Sequence, residues 1–165
     1  MSDGLELTIN AVQARMLAAL RADFPRLQAP ALSRYPTSLD TAALPMVLAW
    51  PAEGSWYLKG DGFAQDERML MLTGYVAPLG QDDIPSRAVD TIRLLEAVRS
   101  LWLTRASIAL INPDDNAGGY QVTIESSFGN GHSDGGIVSG PVFAGARYEG
   151  FVLRVKARIQ WVVAQ

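Results

Sequence analysis

Ile9, Val12, Met16, Leu20 and Phe24 recur at the spacing of one helical face, with Asn10, Gln13, Arg15, Arg21 and Asp23 mostly between them. The pattern predicts an amphipathic helix from Thr8 onward that Pro25 ends. No period follows in Gln28 to Asp40, where Pro30, Pro36 and two serines predict an extended connector wrapping the body or linking the first helix to it. Ala43 to Trp50 is a short apolar run bounded by Pro45 and Pro51, which suits a strand with its proline at the start or on an edge. Pro51 to Glu67 carries Gly54, Gly60 and Gly62 among aromatic and polar residues and reads as a loop. Arg68 to Ala77 is apolar on both sides and predicts a second strand, stopped by Pro78-Leu79-Gly80. The two strands would form a hairpin with a long tip.

Asp82, Asp83 and Pro85 carry the signature of a helix start, because acidic groups meet the unpaired amides and proline needs none. A helix to about Thr104 is expected, burying Val89, Ile92, Leu95, Val98 and Trp102, with Arg87, Asp90, Arg93, Glu96 and Arg99 on the opposite face. Ile108 to Ile111 suggests a short strand, and Asn112 to Asn116 is turn chemistry. Tyr120, Val122 and Ile124 alternate with Gln121, Thr123 and Glu125 as a half-buried strand. Another strand is expected near Ile137 to Phe143. The clearest alternation comes last: Phe151, Leu153, Val155, Ala157, Ile159, Trp161 and Val163 on one face, Arg154, Lys156, Arg158 and Gln160 on the other. Helix, two strands, helix, then three or four strands gives an α+β fold, mainly antiparallel, with two principal helices packed against the sheet. One domain spanning residues 1–165 is expected: an N-terminal helix over 1–27, a connector over 28–42 and an α+β core over 43–165.

Composition supports a folded chain. Of 165 residues, 48% are hydrophobic and 19% charged, well away from the balance of disordered segments. The net charge of −3 argues against a global basic field for nucleic acid, though not against a local strip. The absence of cysteine excludes disulfides and thiolate chemistry. Met1 to Leu7 has no basic n-region and no apolar run reaches the roughly 18 residues a bilayer crossing needs, so synthesis in the cytoplasm without a membrane anchor is expected.

Candidate chemistry is sparse. The single histidine, His132, lies in Gly129-Asn130-Gly131-His132-Ser133-Asp134-Gly135-Gly136. Adjacent Ser, His and Asp project in different directions, whereas a triad needs its members brought together from separate elements. A polar loop or hairpin tip is the better reading, and a small hydrolase is the enzymatic rival. Asp114, Asp115 and Asn116 lack the spaced ligands of a calcium loop, and Lys59-Gly60-Asp61-Gly62 lacks the length and ending of a P-loop. No catalytic residue, metal or cofactor is assigned. The basic face Arg154, Lys156 and Arg158 could meet phosphate or an acidic partner, or be a solvated face whose charges discourage edge pairing. Trp56, Tyr57 and Phe63 suit a protein interface, a lid on the core, or the wall of a pocket in a ligand- or peptide-binding module.

Leu44-Pro45-Met46-Val47-Leu48-Ala49-Trp50-Pro51, the loop Gly60-Asp61-Gly62-Phe63 leading through Glu67-Arg68 to Tyr75-Val76-Ala77-Pro78, and Tyr148-Glu149-Gly150-Phe151 before Leu153-Arg154-Val155 resemble siphovirus tail terminator, or tail completion, proteins, a family also found in tail-like gene transfer particles. The resemblance covers roughly Leu44 to Val163 and rests on strands and turns. It implies a virion protein: a sheet flanked by helices, assembled as a hexameric ring on the head-proximal end of the tail tube. The ring would stop tube polymerisation, join the head connector and let DNA pass through its lumen without sequence-specific binding. The family supplies no catalytic residues. Its partners would be further copies of the chain, the major tail tube protein and neck proteins. Trp56, Tyr57, Phe63, His132, Arg154, Lys156 and Arg158 are then interface candidates, and another neck or tube subunit is the neighbouring alternative.

Overall fold

The computed structural model describes residues 4–59, 63–80, 84–104, 107–111, 119–126 and 137–162. In chain order these form helix α1 (Gly4–Leu20), strands β1 (Met46–Lys59) and β2 (Phe63–Pro78), helix α2 (Ile84–Thr104), and strands β3 (Ser107–Ile111), β4 (Gly119–Ser126), β5 (Ile137–Ser139), β6 (Val142–Phe143) and β7 (Ala146–Val162). The sheet runs β1-β2-β7-β4-β3, with β5 and β6 also pairing β7, and every strand pair is antiparallel. The fold is α+β with a mainly antiparallel sheet.

Strand alternation sorts the sheet into two faces. Val47, Ala49, Leu70, Leu72, Val122, Ile124, Phe151, Leu153, Val155, Ala157 and Ile159 are buried in one cluster with residues of both helices. Period two on the strands thus meets the helical stripes of α1 and α2. α1 contributes Ile9, Val12, Met16 and Leu20, as its periodicity predicts. It begins earlier than expected, at Gly4, and ends at Leu20 rather than at Pro25. Phe24 still bonds back to it, its amide donating to the Leu20 carbonyl at 2.9 Å.

α2 keeps part of its expected face, since Leu95, Val98 and Trp102 are buried as the spacing predicts. Thr91, Leu94, Leu95, Val98, Leu101 and Trp102 are buried, whereas Val89 and Ile92 are 47% and 45% exposed. The chain offers two apolar stripes in different phases, and the one containing a threonine is buried. Thr91 can be buried because its hydroxyl donates to the Arg87 carbonyl at 2.8 Å, one turn back. Arg15 of α1 places its guanidinium 5.8 Å from the centre of the Trp102 ring, tying the helices together at their margin.

The stretch expected as a loop, Pro51 to Glu67, is strand on both sides of the hairpin. β1 continues to Lys59 and β2 begins at Phe63, with paired residues from Gly54 opposite Arg68 to Lys59 opposite Phe63. The register shifts between Pro51 and Gly54, a bulge that absorbs the proline. Gly54 is there for want of a Cβ, which would collide with the Glu67 carbonyl and the Arg68 side chain. Glycine thus marked a bulge within a strand. The expected strand Ile137 to Phe143 is divided into β5 and β6 by Gly140-Pro141.

β7 carries the predicted alternation from Phe151 to Trp161, Val163 lying outside the described residues, and it lies inside the sheet, between β2 and β4. Its charges therefore do not guard an edge. A second, smaller cluster covers part of the opposite sheet face, where Leu44, Met46, Leu48, Tyr75 and Tyr148 are buried against Tyr35, Leu39, Trp50 and Phe143. Tyr75 meets Phe143 and Tyr148 edge-on at 5.5 and 5.7 Å. The connector is what brings Tyr35 and Leu39 across to this face, so it wraps the body as its lack of period suggested.

Candidate functional site

Two surfaces follow from this sheet: the outer edge of β1, and the face of β7 turned away from the helices.

The edge of β1 is sealed over its first half. The Gln28 amide donates to the Pro45 carbonyl and the Val47 amide to the Gln28 carbonyl, both at 2.9 Å, so the connector pairs with the strand start. Gln13 of α1, fully buried, donates through Nε2 to the carbonyls of Val47 at 2.9 Å and Pro30 at 3.1 Å. Tyr35 takes the next position: its hydroxyl donates to the Ala49 carbonyl at 2.7 Å and accepts from the Ala49 amide at 3.0 Å. Burial, partly offset by the bond to Ala49, pushes its pKa up to about 12. Asn10 Oδ1 accepts from the Leu32 amide at 2.8 Å, fixing the connector to α1.

Past Pro51, which has no amide to offer, the same side of β1 continues at Gly54, Trp56 and Leu58. Their partners Arg68, Asp66 and Ala64 keep the parity of Leu72 and Gly74, the partners of Ala49 and Val47. Among the described residues no strand or connector pairs that second half. At the far side of the sheet β3 pairs with β4 alone among the described strands.

On the open face, the strip Arg154, Lys156 and Arg158 is not a bare row of charge. Glu67 of β2 sits between two of its members: Oε2 lies 2.9 Å from Lys156 Nζ, and Oε1 accepts from Arg158 Nε at 3.1 Å. Oε1 also accepts from Gln65 Nε2 at 2.7 Å, and Gln65 Oε1 accepts from Gln160 Nε2 at 2.8 Å. Gln160, Gln65, Glu67, Arg158 and Lys156 are thus one hydrogen-bonded ladder across β2 and β7. Lys156 and Arg158 keep about a third of their side-chain surface in solvent, at 33% and 34%, and Arg154 is exposed. The strip was legible in the sequence, while Glu67 was assigned to a loop and so was missed. No apolar–polar alternation marks this segment, since Gln65, Glu67 and Met69 on one parity and Ala64, Asp66 and Arg68 on the other both mix polar and apolar residues.

Of the other interface candidates, Trp56, Tyr57 and Phe63 are strand residues standing opposite Asp66, Gln65 and Lys59 in the hairpin register. Their side chains lie outside the described set, as does His132 altogether. The structure does not bring them to the strip by any described contact.

A cleft of about 410 Å³ lies elsewhere, between the turn after α1, the start of β1, the end of β2 and the first turns of α2. Phe24 and Leu94 contribute apolar wall, and Asp23, Arg26, Arg87 and Asp90 contribute charges of both signs. Among the described residues no group of three or more His, Cys, Asp or Glu side chains could hold a metal ion. No described helix is long and apolar enough to cross a membrane. Comparison with protein-family models and with curated proteins returned no match.

Proposed function

We propose that this chain is a ring-forming structural subunit of the tail-terminator kind, which caps a tail tube at its head-proximal end and joins it to the head connector. The observation that supports it most is the unequal treatment of the β1 edge. Backbone groups are satisfied by Gln28, Gln13 and Tyr35 as far as Ala49. Among the described residues nothing pairs the continuation over Gly54, Trp56 and Leu58, and an unpaired strand edge is a template for another chain. β1 and β3 bound opposite margins of the sheet and run in the same direction, because three antiparallel strands separate them. A rotation axis along the strands therefore brings one copy's β3 beside the next copy's β1, the head-to-tail contact that closes a ring. The hexameric number comes from the resemblance, as do the tube protein and neck proteins as partners and the virion as location.

Electron microscopy of particles lacking this protein tests the reading: tails of uncontrolled length, or tails detached from heads, are expected, and normal joined particles would refute it. A ligand-binding module is the second reading, favoured by the cleft near Phe24 and Leu94. A persistent monomer that binds a small ligand there would support it instead.

A further inference from the structure

We propose that the open face of β7 is a contact surface for the phosphate backbone of duplex DNA, and that Glu67 holds its affinity down so that the contact stays transient. The inference deepens the proposed function, from which it takes only that duplex DNA passes close to the subunit. Arg154, Lys156 and Arg158 project at every second position of one strand, so successive cations stand about 6.7 Å apart. Successive phosphates along one strand of a duplex rise by about 3.4 Å each and wind around the axis, which puts neighbours about 6–7 Å apart, so the strip can meet successive phosphates of a strand that runs beside it. Lys156 and Arg158 stand on a central strand paired on both sides and Arg154 is paired with β2, so the cations are presented from sheet rather than loop and do not lose loop entropy on contact.

Glu67 sets the strength of that contact. Its two oxygens engage Lys156 and Arg158 at 2.9 and 3.1 Å while Gln65 fixes its position at 2.7 Å. A phosphate approaching the strip meets two cations already half compensated and one fixed negative charge between them. The gain on contact is correspondingly small, and falls further with salt. An isolated basic row would retain DNA; a row with a carboxylate seated in it lets DNA move past.

The test is fluorescence anisotropy of a labelled 30-base-pair duplex at low salt with the full chain and three variants. The unaltered chain should bind weakly, and Glu67→Gln should tighten binding about fivefold and steepen the salt dependence by about one phosphate contact. Adding Arg158→Gln to Glu67→Gln should reverse the gain. Arg154→Glu, at an exposed position, should weaken binding of the unaltered chain while leaving its circular dichroism and melting unchanged. No tightening by a folded Glu67→Gln variant overturns the proposal. So does tightening toward polyglutamate but not toward the duplex, which would make the surface one for an acidic protein. Should Glu67→Gln not fold, an Arg154→Glu variant that binds as well as the unaltered chain overturns it. None of these readings depends on ring closure, so the ring can fail by mass while the strip succeeds, and the reverse.

Discussion

The hydroxyl of Tyr35 both donates to the carbonyl and accepts from the amide of Ala49, at 2.7 and 3.0 Å. One side chain thereby replaces the neighbouring strand that the edge of β1 lacks at that residue. Tyr35→Phe leaves two backbone groups of a buried residue unsatisfied and should lower stability by about 1–3 kcal/mol, read from urea denaturation.

The same bond has a pH signature. Tyr35 is held neutral, with a pKa of about 12 against the ordinary 10.0. A raised pKa in the folded state contributes stability that is fully present below pH 10 and lost as the pH rises toward 12. Burial raises Tyr75 as well, so its contribution falls in the same direction. Denaturation midpoints should drop on going from pH 9.5 to pH 11.5, less steeply in the Tyr35→Phe variant. An equal drop in both proteins would show that other groups govern the alkaline limb.

Gly74 of β2 faces Phe151 of β7 in the register, and a Cβ on Gly74 would overlap the Phe151 ring. Phe151 is fully buried and lies over the glycine on the helix side of the sheet. Gly74→Ala should therefore cost about 1–3 kcal/mol by overpacking. Partial recovery in Gly74→Ala with Phe151→Leu, measured as a non-additive double-mutant cycle, would localise the cost to this pair.

Val89 and Ile92 stand one turn apart on the exposed side of α2. Val89→Glu and Ile92→Glu should each change monomer stability by no more than about 0.5 kcal/mol. Leu95→Ala, which truncates a residue in the buried stripe, should cost about 2–5 kcal/mol. Thermal melts of the three variants suffice.

The contrast between α2 and β7 shows what the sequence carried. β7 was legible because seven alternating apolar positions admit one strand phase and no other. α2 was legible as a helix through the sequence signature of Asp82, Asp83 and Pro85, of which Asp82 and Asp83 lie outside the described residues. Its buried face was legible in part: Leu95, Val98 and Trp102 are buried as expected, while Val89 and Ile92 compete with Leu94 and Leu101, and packing against the sheet decides between them. The second half of the hairpin was hidden by Gly54 and Pro51, residues that usually mark loops and here occupy a bulge. Of the candidate surfaces, the three cations of β7 could be read directly from spacing two. The carboxylate compensating them comes from β2, 91 positions away from Arg158, and sequence alone gives no cross-strand register. Tyr35 was hidden likewise, in a connector with no period.

Leu58 stands opposite Ala64, so by parity its amide faces away from β2. Leu58→Pro removes one donor from the half of the β1 edge that no described strand pairs, without removing a bond of the hairpin, a position where strands tolerate proline. The variant should keep its far-ultraviolet circular dichroism and lose self-association by at least about tenfold in concentration. Unchanged association would place the subunit contact away from that edge.

The central claim is that copies of this chain close into a ring through the outer margins of β1 and β3. Mass photometry of the purified protein across a concentration series, repeated with purified tail tubes, measures this directly. The account predicts a single closed species of about six chain masses that binds tube ends, with no longer polymers. A species of one chain mass at every concentration, with and without tubes, would contradict it.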